Sequence, residues 1–262
     1  MLWKTKNLKS CPLAARDGEI GHVKDFYFSD QDWTVRYLVA DTGAWLPHRK
    51  VLISPFALVK IHSQPHTAIE VNLTRKQVEE SPSIESHLPV SRQYEARYHQ
   101  YYGWPYYWPG PLLWGPVAFP EPLLPAGIAT GVEPVETLPE TEDSHLRSVL
   151  EVSGYSIQAL DRPFGHVEQC IVDDHQWAVR YLVVDTRDWF PGKRVLISPQ
   201  WISSVSWPEL SVYVDLDHDT IKRSPAYDPA AELTREYEKN LFEHYSRVPY
   251  WEQDLLAPAP HP

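Results

Sequence analysis

Short apolar runs recur along the chain about every ten residues. Phe26-Tyr27-Phe28, Val35 to Ala40, Val51 to Ile53, Leu58 to Ile61 and Ile69 to Leu73 are rich in β-branched and aromatic side chains. Turn chemistry such as Ser29-Asp30-Gln31-Asp32 and Thr42-Gly43 separates them, so the runs read as strands. With a period of two, Trp33, Val35, Tyr37 and Val39 fall on one face and Arg36, Leu38 and Ala40 on the other, which predicts a strand covered on both sides. Several short strands at this spacing favour a barrel or a sandwich. Helical signals are confined to later segments. Thr74-Arg75-Lys76-Gln77 has the spacing of a capping box and opens a short helix that Ser81-Pro82 stops. Asp217 is the corresponding cap further on. Ser91 and Thr234 are positioned to cap two longer helices, with stripes Tyr94, Tyr98, Tyr102 and Tyr237, Leu241, Tyr245.

The second half repeats the first. Gly21-His22-Val23 returns as Gly165-His166-Val167, a shift of 144 residues, and 19 of 35 positions from Gly21 to Pro55 are identical to their counterparts. Val35-Arg36-Tyr37-Leu38-Val39 followed by Asp41 answers Val179-Arg180-Tyr181-Leu182-Val183 followed by Asp185, and Val51-Leu52-Ile53-Ser54-Pro55 answers Val195-Leu196-Ile197-Ser198-Pro199. After a one-residue deletion, Arg92-Gln93-Tyr94-Glu95 answers Arg235-Glu236-Tyr237-Glu238, and Tyr107-Trp108 answers Tyr250-Trp251. The organisation that follows is a first domain over 1–80, a helical and aromatic tail over 81–108, a Pro-rich acidic linker over 109–145, a second domain over 146–223 and a second tail over 224–262. The aromatic tails are expected to dock across the two domains and bury their Tyr stripes.

The net charge of -11 argues against a protein that coats nucleic acid, since such binding depends on neutralising phosphates. Two cysteines, Cys11 and Cys170, make no disulfide framework and suit a reduced compartment. The N-terminus carries charges without an apolar stretch behind them, and Pro breaks the apolar region near 104–132, so the expectation is a soluble, cytoplasmic protein. The 25 Pro concentrate in the linker and tail stops.

Chemistry-bearing patterns are sparse. His22 and His166 recur without a second ligand at fixed spacing, and Pro65 denies His62 and His66 a helix face. Asp30 and Asp32 lack the glycine and distal glutamate of a calcium loop, and Asp174 reads likewise as a turn residue. No nucleophile elbow or phosphate-cradling loop occurs, so no enzyme activity, metal or cofactor is expected. Gly21, Trp33, Arg36, Asp41 and Trp45, with their counterparts Gly165, Trp177, Arg180, Asp185 and Trp189, are assigned structural roles. The repeated arginines and aspartates are expected to be held in ion pairs or bonds to backbone carbonyls. The basic pairs Arg49-Lys50 and Lys193-Arg194 are candidate interaction residues in an otherwise acidic chain, as are Trp104 and Trp108 at the start of the Pro-rich stretch.

These residues carry a resemblance. Both repeats resemble the PRC-barrel, the small β-barrel seen in the cytoplasmic part of the photosynthetic reaction centre H subunit and in a ribosome-maturation factor. The resemblance rests on the Gly-x-Val entry at Gly21 and Val23, the Val35–Val39 strand with Asp41 after it, and the Val51–Pro55 strand, each present twice. It implies two tandem PRC-barrel-like β-barrels, mainly β, each followed by a short helical tail. It also implies a non-enzymatic adaptor or assembly module whose partner is another protein. Two further expectations stay open, an accessory factor of photosynthetic or electron-transport membrane complexes, peripherally bound, and a ribosome-maturation or RNA-processing factor. The oligomeric state stays open as well.

Overall fold

The computed structural model describes residues 1–47, 49–63, 67–84, 90–120, 145–186 and 193–256. The first repeat runs β1 (Leu2–Lys4), α1 (Thr5–Leu8), β2 (Pro12–Ala15), β3 (Gly18–Ser29), β4 (Val35–Asp41), β5 (Lys50–Ile53), β6 (Leu58–His62), β7 (Ala68–Val71), α2 (Arg75–Glu79) and α3 (Arg92–Tyr102). The second runs β8 (Leu146–Ser148), α4 (Val149–Val152), β9 (Ser156–Gln158), β10 (Pro163–Asp173), β11 (Val179–Asp185), β12 (Arg194–Ile197), β13 (Ile202–Ser206), β14 (Ser211–Val214), α5 (His218–Arg223), α6 (Arg235–His244) and α7 (Tyr250–Leu256). The duplicated sequence therefore folds alike from β1 to α3 and from β8 to α6, and α7 is an element of the second copy alone.

The protein is mainly β, in two seven-stranded sheets of order β5-β4-β3-β2-β7-β6 and β12-β11-β10-β9-β14-β13, each with one extra strand attached. The expected closure into barrels is corrected: each path ends at two edges, with no pairing between β5 and β6 or between β12 and β13 among the described residues. The repeated Ser-Pro supplies a physical reason. Ser54 and Ser198 cap 3-10 turns at Pro55–Ala57 and Pro199–Trp201, and such a turn carries the chain away from the strand it leaves instead of folding it back as a hairpin. Every residue from Val35 through Ala40 is buried, as the two-sided pattern predicts. Trp33 is a correction to that pattern. It sits ahead of β4 in the left-handed region at φ 56°, and Trp177 does the same at φ 59°.

The chain divides into two compact units. One comprises 1–153 with 169–180, the other 154–168 with 181–262. The first unit thus contains pieces of both repeats, and their pairing there is reciprocal. β1 adds to β10 with Leu2 opposite Asp173, Trp3 opposite Val172 and Lys4 opposite Ile171. β8 adds to β3 with Leu146 opposite Ser29, Arg147 opposite Phe28 and Ser148 opposite Tyr27. Each pair maps onto the other by the 144-residue shift. The caps of the short helices are exchanged too: Asp25 accepts the Leu150 amide at 3.1 Å, and Gln169 accepts that of Lys6 at 3.4 Å. Between the hairpins, Val35 N donates to the Trp177 carbonyl at 2.8 Å and Val179 N to the Trp33 carbonyl at 2.7 Å. A left-handed Trp costs roughly 1–2 kcal/mol, and both copies hold it where its carbonyl meets the other copy's strand.

Gly21 and Gly165 lie near the starts of β3 and β10, beside a shift of register with β2 and β9. A Cβ on Gly21, at φ +120°, would lie 2.1 Å from the Asp41 carbonyl oxygen, and one on Gly165 would lie 2.4 Å from that of Asp185. Gly43, at φ +57°, has nothing within 4 Å. Gly21→Ala and Gly165→Ala are expected to lower stability by more than the roughly 1–3 kcal/mol of backbone strain alone, whereas Gly43→Ala costs only about 1 kcal/mol. Urea unfolding of the three variants checks the ranking.

Candidate functional site

The most concentrated polar chemistry in each repeat lies where the tail helix meets the strand block. Ser91 caps α3 by accepting the Tyr94 amide, and Thr234 caps α6 by accepting that of Tyr237, both at 3.2 Å. One turn later each helix carries a buried glutamate, Glu95 or Glu238. In the first unit Glu95 Oε2 accepts from the Tyr37 hydroxyl on β4 at 3.0 Å and from the Tyr107 hydroxyl. Arg92 stands 3.4 Å from Glu95 Oε1. In the second unit Glu238 Oε1 accepts from the Tyr181 hydroxyl on β11 at 2.8 Å and from the Tyr250 hydroxyl at 2.9 Å, with Arg235 at 3.0 Å from Oε2. The arginines also cover the aromatic ends of their tails, Arg92 over Trp108 at 4.4 Å and Arg235 over Trp251 at 4.0 Å. A carboxylate, two tyrosines and an arginine therefore clamp strand, helix and terminal aromatic knot together, in both copies.

Burial alone would raise the Glu95 pKa. The hydrogen bond from His145, the charge of Arg92 and the hydrogen bond from Tyr107 outweigh it and hold the carboxyl below its ordinary range. Tyr37 and Tyr107 are pushed well above theirs, first by burial and then by the Glu95 charge, and Tyr250 to about 12 by burial and Glu238. The hydroxyls are consequently donors.

The first copy adds two histidines to this clamp. His145 Nε2 lies 3.0 Å from Glu95 Oε1. His99, where the second copy has Phe242, is inaccessible to solvent, and burial lowers its pKa to about 4. Its Nδ1 donates to the Pro105 carbonyl at 2.7 Å, which leaves Nε2 as an acceptor 3.0 Å from the Tyr37 oxygen. The single Tyr37 proton thus faces two acceptors, Glu95 and His99.

The residues singled out from sequence distribute as follows. Arg36 is 2% exposed, bonds the Leu113 carbonyl at 2.8 Å, pairs with Asp32 and stacks over Tyr107 and Trp114. Arg180 pairs with Asp173 at 2.5 Å and with Gln176. Asp32 lies in the turn before β4, and Asp173 ends β10. Asp41 is exposed, accepts from Gly43 N at 3.1 Å and stands 3.3 Å from Lys24, while Asp185 sits opposite Arg194 in β12. Trp33 stacks on Phe28 and Trp177 is buried. Trp45 lies under Arg75. Trp189 lies outside the described residues.

Arg49 and Lys193 are not free cations. Arg49 donates to the carbonyls of Glu79 and Ser81 at the end of α2, and Lys193 to those of Lys222 and Ser224 at the end of α5. Each satisfies helix-terminal carbonyls that have no partner within the helix. Arg194 pairs with Glu168 at 2.5 Å, and Lys50 lies half-buried at the start of β5. Trp104 is buried against Phe56 and Tyr102, and Trp108 stacks on Tyr106. Of the stretch expected as a linker, residues 109–120 fold within the first unit, with Trp114 fully buried, and 121–144 lie outside the described residues. Among the described residues the tails fasten to their own repeats: the Tyr98 hydroxyl donates to the Leu52 carbonyl on β5, and Trp201 packs against Phe242 and Tyr245. His22 and His166 are exposed, and Asp30 is taken up by Arg147 at 2.9 Å.

A cavity of about 460 Å³ in the first unit is lined by Leu58 through Ser63 together with Met1, Trp3, Asp174 and Trp177. No sequence pattern singled it out. Among the described residues no helix is long and apolar enough to cross a membrane. In comparison with known proteins, no family model matches the chain and no curated protein matches it.

Glu238→Ala removes the carboxylate that accepts from the Tyr181 and Tyr250 hydroxyls and is expected to cost roughly 1–3 kcal/mol in urea unfolding, and Glu95→Ala less, because Tyr37 still faces His99 and Tyr107 still stands 3.0 Å from His145. His99 gives a pH dependence of definite sign. Its pKa falls from 6.5 to about 4 on folding, so its contribution is complete above pH 6.5. Below that the unfolded chain binds a proton that the folded chain refuses, and stability declines by up to about 3 kcal/mol as the pH falls through 4. His99→Phe, which copies the second repeat, is expected to flatten this part of the stability profile.

Proposed function

We propose that the protein is a tandem PRC-barrel-like docking module that holds another protein and performs no chemistry of its own. Its sheets are opened versions of the small barrel, each stapled to a helical tail. The observation that carries this reading is the fate of the titratable groups. Glu95, Tyr37 and His99 are each sealed from solvent, and Glu238 and Tyr181 repeat the arrangement in the second copy. Groups that would serve acid–base work in an open cleft are here spent on fastening the tail to the strands. The surface contrasts with this. Val59 on the edge strand β6 is 51% exposed and lines the cavity together with Trp3 and Trp177.

The test is capture on the full-length tagged chain expressed in its native cell, with nuclease treatment and washing in high salt. The expected result is a protein retained in fixed stoichiometry through both treatments. Recovery of the chain alone, or of material lost with nuclease or salt, would overturn the reading.

A further inference from the structure

The exchange of strands within the first unit has the symmetry of an interface between two copies of one surface. Like surfaces that meet about a twofold axis place residue i against j and j against i, and on the axis a residue meets its own counterpart. Thr34 and Ala178, which differ by the 144-residue shift, form an antiparallel bridge with each other. The contacts on either side come in matched pairs. Val35 N to the Trp177 carbonyl answers Val179 N to the Trp33 carbonyl. Further out, Asp30 N donates to the His145 carbonyl at 2.9 Å, as Asp174 N donates to that of Met1 at 3.0 Å. A local twofold axis therefore passes between Thr34 and Ala178.

Each copy presents an arm and a socket. The arms, β1 with α1 and β8 with α4, are identical at only one of the seven positions from Leu2 to Leu8, where Leu2 answers Leu146. They nevertheless dock in the same register on β10 and β3, because an added strand is held by main-chain bonds that do not read side chains. Both arms end on an apolar residue inaccessible to solvent, Leu8 or Val152, and the first turn of each short helix is bonded from the other copy, by Gln169 or Asp25. Side chains add to this on both sides. The Thr5 hydroxyl donates to the Cys170 carbonyl at 3.1 Å, the Ser148 hydroxyl donates to Asp25, and Arg147 pairs with Asp30 at 2.9 Å. Without an arm, β3 and β10 would each keep an unpaired edge, the kind of surface that recruits a strand.

We propose that this arm-and-socket surface is a self-association site. It holds the two halves of the chain together without the stretch that connects them, and the partner it fits is the corresponding half of a second copy of the chain. In the intact chain the connection keeps the halves at an effective concentration of about 1 mM, so the neighbouring half displaces one from another molecule at ordinary concentrations. Cutting the connection removes that advantage and leaves arms and sockets as they are. This association is independent of the docking function above, which halves that part on cleavage would leave standing.

The test starts from the folded full-length chain with the recognition sequence of a site-specific protease inserted between Ala126 and Gly127. After cleavage the halves are expected to co-elute as a complex of one each at about 1 μM, and to form mixed complexes on overnight incubation with cleaved chain that bears a different tag. Arg147→Glu sets a carboxylate against Asp30 and is expected to weaken the cleaved complex at least about tenfold, while the uncleaved variant keeps the circular dichroism of wild type. Adding Asp30→Arg is expected to restore the affinity. Should uncleaved Arg147→Glu unfold, Ser148→Ala takes its place, since it removes the hydroxyl bonded to Asp25 and is expected to weaken the complex about fivefold. Halves that part on cleavage, halves that stay together without exchanging, or a cleaved variant as tight as wild type would each overturn the proposal.

Discussion

The buried carboxylate at the start of each tail helix is the constraint around which the rest is arranged. An ionised glutamate without water is costly unless it is paired and hydrogen-bonded, and here its partners come from three places in the chain. Tyr37 or Tyr181 arrives from the strand next to the sheet edge, Arg92 or Arg235 from the helix itself, and Tyr107 or Tyr250 from the aromatic end of the tail. Satisfying the charge therefore fixes the position of the tail on the sheet. The arginine in turn holds the last tryptophan through its ring face, so the Pro-aromatic end packs down over the same point.

A second layer of constraint acts only within the first unit. β1 and β8 each complete a sheet built by the other repeat, in matching register, and the two left-handed tryptophans turn their carbonyls to the strands they face. The clamp and the exchange meet at His145. This residue stands two positions ahead of the Arg147 that pairs with Asp30, and its ring reaches Glu95. The first copy is thereby fastened by groups from both repeats, and its His99 gives it an acid sensitivity that Phe242 spares the second.

Much of this was legible in the amino-acid pattern. The strands, the helix caps at Thr74, Ser91, Asp217 and Thr234, and the two-sided burial of Val35 to Ala40 follow from period and capping chemistry, which are local. Pairing partners are not local. A strand that fits the edge of its own repeat fits the twin edge equally well, so self-similarity announces the duplication and hides the exchange. Closure failed for a related reason: ten-residue spacing counts strands but does not say whether the first and last meet. The basic pairs misled because a lysine or arginine near a helix end looks the same on paper whether it faces solvent or a row of carbonyls. The clamp itself had a signal in the repeated Arg-x-x-Glu, with Tyr107-Trp108 and Tyr250-Trp251 downstream. The recurrence alone does not reveal burial, because an arginine and a glutamate three apart on a helix look the same whether they face solvent or a strand. The cavity had no signal, since it depends on where an edge strand ends up.

The measurement that bears most directly on the clamp is a double-mutant cycle between Tyr181→Phe and Glu238→Gln, read by urea unfolding at neutral pH. The second copy is the cleaner place for it, because among the described residues no histidine shares the carboxylate there. A hydrogen bond that positions the tail predicts a coupling free energy of at least about 1 kcal/mol between the two sites. Strictly additive losses would contradict the account and reduce the buried glutamate to a passenger of the packing around it.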